Sequence, residues 1–294
     1  MAPDESRKAL GLTFDRVAGA YERARPAYPP RLVDRAIERA GVGPASQVLE
    51  VGCGTGKLTE MLVDRGLHVE ALDPGANLLA IAERRLGSTG AVTFRRGRFE
   101  DVDLPSDAYD AVFSATAFHW VDPRVGWRKA AGVLRSAGLL VLLSYVNVRD
   151  EQSNPSQHEF LALLRHHAPE LAAQWRPAPE LEVLIAGAED CRENVSAVLE
   201  WVLQGGLERP SLIAPDAAEL FAEVEVAYDA RAIEETADEW LDLFRTTALY
   251  QRIEAARRPA LEEDARELIE RQGGLARSSL ATVLVTAERI ADPF

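Results

Sequence analysis

Apolar residues recur in two alternating rhythms through the first half of the chain. Val48, Leu49 and Val51 form an apolar run of strand length, and residues 57–63 after them have helical spacing. Residues 68–72 form a second short strand, residues 77–86 a helix and residues 92–95 a third strand. Residues 109–114 and 138–145 supply a fourth and a fifth. Strands alternating with helices at this interval predict a parallel, doubly wound α/β sheet, which binds ligands at the carboxyl ends of its strands. Before the first strand, residues 9–24 predict a helix that Arg25-Pro26-Ala27-Tyr28-Pro29-Pro30 breaks, and residues 31–40 resume as a helix ending at Gly41.

Past Asp150 the rhythm changes. Residues 155–220 are mostly of helical spacing, punctuated by Pro169, Pro177, Pro179 and Pro210, and predict an insertion between the fifth strand and the last strand pair. Residues 221–230 alternate like a sixth strand, residues 237–249 and 257–271 predict helices, Gly273-Gly274 ends the second of these, and residues 279–287 form the final strand. The chain accordingly divides into an N-terminal helical clamp (residues 1–45), a ligand-binding core (46–150), a helical insertion or lid (151–220) and a segment that completes the core sheet (221–294).

The turn after the first strand carries the chemistry. It reads Glu50-Val51-Gly52-Cys53-Gly54-Thr55-Gly56, and glycines at that spacing let the backbone bend sharply and let a ligand approach the main chain. The helix that follows offers free N–H groups and the positive end of its dipole. A phosphate loop of the form G-x-x-x-x-G-K-[ST] needs glycine where Val51 stands and Ser or Thr where Leu58 stands, so it fails twice. The dinucleotide fingerprint G-x-G-x-x-G finds its third glycine one residue early, at Gly56. Asp73, at the tip of the second strand, is placed to accept both ribose hydroxyls of an adenosine, a device that serves S-adenosylmethionine (SAM) and NAD alike.

The remaining pattern, E-x-G-x-G-x-G, resembles motif I of the class I SAM-dependent methyltransferases, and Glu50, Gly52, Gly54 and Gly56 all match it. Leu104-Pro105-Ser106-Asp107-Ala108-Tyr109-Asp110-Ala111-Val112 resembles the family's L-P-x-x-x-Y-D-x-V entry to strand four. Residues 114–120, Ser-Ala-Thr-Ala-Phe-His-Trp, resemble the small-molecule subgroup related to trans-aconitate and ubiquinone-pathway enzymes. The resemblance implies a Rossmann-like sheet of seven strands with the last antiparallel. It also implies SAM as cofactor, S-adenosylhomocysteine (SAH) as product, and no metal. It assigns Glu50, Gly52, Gly54, Gly56, Asp73, Pro74 and Ser114 to the cofactor, and gives Glu100, with Asp101 as the alternative, the adenine amino group. Tyr21-x-x-x-Arg25-Pro26-x-Tyr28-Pro29 resembles a signature of the subgroup, which gives Arg25 and Tyr21 to the cofactor carboxylate. His119 is the candidate base or substrate orienter. Tyr28, Trp120, Arg149, Arg245 and Tyr250 are candidate acceptor contacts, the two arginines for an anionic group. His158, His166 and His167 are expected to be solvated, and Trp175, Trp201 and Trp240 to line the lid or pack a helix face.

Composition narrows the partners. A chain of 294 residues, 47% of them apolar, suffices for a sizeable core, and no apolar run has the length of a membrane span. A net charge of −14, from 33 basic and 47 acidic residues, disfavours a nucleic-acid substrate. So does the absence of an [N/D]-P-P-[Y/F] turn after strand four, where Ser114-Ala115-Thr116-Ala117 stands. The two cysteines, Cys53 and Cys191, belong to no metal pattern, and the charged N-terminus lacks a signal-peptide core. A cytoplasmic enzyme acting on a small molecule, monomeric or homodimeric, is the expectation. Two other readings share the fold: a protein using bound SAM for rearrangement or decarboxylation, and a metabolite-binding regulator.

Overall fold

The computed structural model describes residues 13–44, 46–149, 154–207 and 209–291, with side chains from residue 159 onward in the helix that begins at Asn154. Residues 9–12 of the expected lead-in helix, Asp150 at the expected boundary and the His158 side chain lie outside the described residues.

One sheet of seven strands organises the chain: β1 (Gln47–Val51), β2 (His68–Asp73), β3 (Val92–Arg96), β4 (Tyr109–Ala115), β5 (Leu134–Val148), β6 (Phe221–Thr236) and β7 (Leu275–Arg289). Their spatial order is 3-2-1-4-5-7-6. β1 to β5 pair in parallel, and β7 runs antiparallel between β5 and β6. The order reverses between β1 and β4, so the crevice beyond their carboxyl ends is the topological switch point.

Both faces of the sheet are covered, which is why its central strands read as unbroken apolar runs. Along β5, Leu140 and Leu142 face one core while Leu139, Val141 and Leu143 face the other. The second core is closed by α2 (Pro30–Ala40), α3 (Lys57–Val63) and α4 (Ala76–Leu86), of which α2 and α3 bury Val33, Ala36, Leu58 and Leu62, while α1 (Ala18–Ala24) packs on α4. The first core is closed by α5 (Pro123–Val133), whose Trp127 is fully buried. A buried side chain of the size of Leu contributes about 1.5–3 kcal/mol.

The insertion contributes more than a lid. Its helices α7 (Leu181–Asp190) and α8 (Val195–Val202) place Leu184, Val198, Leu199 and Val202 in the same core as Trp127, and the Trp127 indole donates to the Leu212 carbonyl at 3.2 Å. Its first helix, α6 (Asn154–His167), packs instead on the C-terminal helices α9 (Ala237–Arg245), α10 (Ala248–Arg252) and α11 (Arg258–Arg271). His167 is buried there and bonded to Asp264 at 2.7 Å, not solvated. The expected helix over residues 237–249 is two: Thr246 ends α9, and Thr247 caps α10 by accepting from the Tyr250 N–H at 3.2 Å. β6 continues to Thr236 because its ladder with β7 holds as far as the Thr236–Leu275 pair. Among the described residues no helix is long and apolar enough to cross a membrane.

Candidate cofactor and acceptor site

The three glycines of the turn do different work. Gly52, at φ +76°, donates to the Leu72 carbonyl at 2.7 Å, and a Cβ there would stand 2.3 Å from the Ala117 Cβ. Gly54, at φ +57°, has nothing within 4 Å of where a Cβ would be, so its open side faces the cavity. Gly56, at φ +85°, faces α4 instead, where a Cβ would meet Leu86 at 3.0 Å and Ala82 at 3.2 Å. It brings α3 close to α4 and does not line the cavity, as the third glycine of a dinucleotide turn also does.

Two acids flank the turn. Asp73 is buried at the end of β2, with Oδ2 accepting from the Gly54 N–H at 2.9 Å and Oδ1 from the Gly75 N–H at 2.7 Å. Burial pushes its carboxyl up to about 6 against those two bonds, so the carboxylate holds unspent acceptor capacity toward the cavity it lines. Glu50 is fully buried, accepts from the Thr59 hydroxyl at 2.6 Å, and is pushed by burial to about 7. Beside it lies a narrow cleft of about 30 Å³ also walled by Tyr21, Arg25, Thr55 and Lys57. The Thr55 hydroxyl is buried there with no hydrogen-bond partner among the described residues. An orphaned hydroxyl beside an acid, an arginine and a lysine fits a small zwitterionic group.

The N-terminal segment is fastened over this cleft. Asp15 accepts from the backbone N–H of Asn77 at 2.7 Å and of Leu78 at 3.0 Å, capping α4 from another part of the chain. Next to it Phe14 meets Trp120 at 5.7 Å and Tyr21 at 6.0 Å, edge to face, across the opening. Glu22 lies against Lys57 at 3.5 Å and Arg85 at 3.0 Å. Arg25 reaches the other end of the chain, donating from Nε to Thr246 Oγ1 at 3.0 Å and from Nη2 to the Thr246 carbonyl at 3.1 Å. Tyr28 stacks on Tyr145 at 4.8 Å and donates to Thr116 Oγ1 at 3.2 Å. Thr116 holds φ +52°, a strained conformation for a β-branched residue, directly after β4.

From the glycine turn a cavity of about 540 Å³ runs past Asp73, Pro74 and Glu100, then past His119 and Trp120, into a chamber under α6 and the C-terminal helices. Glu100 Oε1 accepts from Arg98 at 2.5 Å and from the Asp122 N–H at 2.9 Å, so its charge is largely spent on Arg98. His119 is buried and lies 4.6 Å from the Trp120 ring.

Besides Gly56, five expected site residues face elsewhere. Ser114 is buried in the sheet, donating to the Val51 carbonyl at 2.8 Å, because it points from β4 into the ladder beside β1. Asp101 turns to solvent one residue past Glu100. Arg149 is held by Glu180 at 2.9 Å, and Arg245 by Glu262 at 2.7 Å and Asp242 at 2.9 Å, outside the cavity. Tyr250 is buried among Phe244 and Leu249 with its hydroxyl on Glu262. Sequence reasoning missed Thr55, Phe14, Tyr145 and Thr246. Only Thr55, lying between two motif glycines, carried a local signal.

Residues 49–142 match the family described as "Methyltransferase domain". An uncharacterized methyltransferase of Mycobacterium tuberculosis is 43% identical over 147 residues, 50% of this chain and 57% of that protein. A malonyl-[acyl-carrier protein] O-methyltransferase of Serratia marcescens is 33% identical over 115 residues, 39% of this chain and 44% of that protein. The chain thus spans about half the length of the curated relatives it matches. A putative type II methyltransferase from Anaeromyxobacter dehalogenans, 21% identical, superposes with a TM-score of 0.56 over 91% of this chain and 99% of that one, which bears on the fold. Over residues 49–142, which contain the glycine turn and the Asp73 strand tip, the chain carries a methyltransferase domain of the class I SAM-dependent type.

Proposed function

We propose that this protein transfers the methyl group of SAM to an O, N or C atom of a small molecule, a specialised metabolite in the cytoplasm. The observation that carries the proposal is the continuity of one cavity from the glycine turn, past His119, into a chamber walled by apolar side chains. A cavity of about 540 Å³ is of the size that takes small ligands. Two free thiols, Cys53 and Cys191, suit a reducing compartment.

SAM, when bound, supplies an electrophilic methyl group on a sulfonium centre. The residues present fit it. Asp73 accepts the ribose hydroxyls, and the open backbone at Gly54 lets the ligand lie on the chain. Glu50 receives the ammonium end of the amino-acid tail, and Arg25 and Tyr21 its carboxylate, with the Thr55 hydroxyl beside them. Phe14 and Trp120 close the opening and exclude water. Tyr28 and Tyr145, stacked, set the wall where the cleft meets the acceptor chamber. His119 takes the acceptor's proton or orients the acceptor, and Trp120 flanks it.

Calorimetric titration with SAH, with NAD and ATP as controls, tests the cofactor assignment. Micromolar binding of SAH alone is expected, and equal or stronger binding of NAD overturns it. Release of SAH during turnover with an acceptor then separates methyl transfer from a non-reactive use of SAM. Acceptor binding with no turnover points to a regulator.

A further inference from the structure

Neither arginine expected to attract an anion is available, since Arg149 is paired with Glu180 and Arg245 with Glu262. Two others line the acceptor chamber. Arg209 has no ion pair or hydrogen bond among the described residues. It lines the cavity and keeps exposed surface, and the protein packed around it lowers its pKa by desolvation. Arg252 has no ion pair among the described residues and donates only to Gln174 Oε1, at 2.7 Å. Of the other guanidiniums along the cavity, Arg98 is paired with Glu100 and Arg277 with Glu234, while Arg25, at the cofactor end, is held by Thr246. Acids exceed bases in this chain, 47 to 33, so a guanidinium inside a cavity with no acid partner among the described residues is not a default outcome.

Both adjoin one ribbon. Trp175 pairs with Leu207 in a two-residue antiparallel ribbon. Arg209 follows Leu207 by two positions, and Arg252 holds Gln174, the residue before Trp175. Next to the ribbon stands an aromatic wall, in which Phe160 meets Trp240 at 5.2 Å and Phe244 at 5.3 Å, and Trp240 stacks on Phe244 at 4.9 Å. Desolvating a cation beside apolar rings is costly unless an anion compensates it, and a guanidinium fork suits a carboxylate or a phosphate.

We infer that the chamber binds an amphiphilic anion, its apolar body against Trp175, Phe160, Trp240 and Phe244 and its carboxylate or phosphate on Arg209 and Arg252. Calling this molecule the methyl acceptor rests on the function proposed above; its binding does not.

The test is calorimetry on the full chain, with and without saturating SAH, using three probes of one shape: 1-naphthaleneacetate, 1-naphthyl phosphate and the uncharged 2-(1-naphthyl)ethanol. At least one anion should bind about 10–100-fold more tightly than the alcohol, as hydrogen bonds to a charged group imply. The preferred anion separates a carboxylate site from a phosphate site. Arg209→Gln and Arg252→Gln should each cut that preference about tenfold or more while the alcohol binds as before, and Arg149→Gln should change nothing. Unchanged SAH affinity verifies that the variants are folded. Equal binding of anions and alcohol, a preference that survives both substitutions, or no binding of any probe overturns the inference. If SAH binds and the preference is absent, this inference fails alone. If SAH does not bind and the arginine-dependent preference holds, the cofactor assignment fails and this one stands.

Discussion

Replacing Asp73 by Asn separates two effects that usually travel together. The amide keeps the shape but turns one acceptor into a donor, so either the Gly54 or the Gly75 N–H, now 2.9 and 2.7 Å from carboxylate oxygens, meets an N–H instead. Losing one such bond to a charged group costs about 1.5–3 kcal/mol. Against that stands the charge itself. Burial raises the Asp73 carboxyl from its ordinary 3.8 to about 6, which corresponds to about 3 kcal/mol favouring the neutral form. At pH 8 the amide escapes that cost, so the ligand-free variant should lie within about 2 kcal/mol of wild type in urea denaturation. SAH has no such compensation. One ribose hydroxyl loses a charged acceptor, and affinity by calorimetry should fall about 10–150-fold. Wild-type affinity should also decline as pH drops below about 6, where Asp73 takes up a proton, while the variant's should not show that decline. SAH affinity within about threefold of wild type at pH 8 would refute the ribose assignment. A stability loss above about 4 kcal/mol would refute the claim that the buried charge is costly.

The other expectations concern the turn, the base and the second acid. Gly52→Ala should destabilise by about 2–5 kcal/mol, from a side chain at φ +76° and an overlap with Ala117 at 2.3 Å. Adding Ala117→Gly should recover the overlap part in a denaturant double-mutant cycle, and additivity would contradict this account. His119→Ala should lower turnover about 100-fold with SAH affinity nearly intact if it moves the proton, whereas a loss under about tenfold in kcat leaves it an orienting residue. Glu50 has its carboxyl raised by burial from 4.5 to about 7, so its protonated form is favoured in the folded state. Below pH 4.5 both folded and unfolded forms are protonated, and as pH rises to about 7 the ligand-free wild type should lose about 3 kcal/mol relative to Glu50→Gln. A flat difference across that range in denaturation would show that Glu50 is not desolvated.

What the sequence determined by itself is what depends on neighbours along the chain. The order of strands and helices, the parallel core and the turn at Gly52, Gly54 and Gly56 follow from local periodicity and from glycine's freedom at positive φ, and Asp73 follows from its place at a strand tip. Tertiary structure decided which way side chains face and what they meet. Ser114 and Thr116 are two residues apart, yet one is spent on the β1 backbone and the other reaches the cavity wall, because β4 ends between them. Arg25 acquires its partner Thr246 across 221 residues, which no spacing rule encodes. Arginines are ambiguous for the same reason. Arg149 and Arg245 are neutralised by carboxylates that folding brings to them, while Arg209 and Arg252 are carried into the chamber by a ribbon and a helix end. A residue type fixes the charge and the reach of a side chain, and only the packed chain fixes whether water, an acid or a cavity lies in front of it.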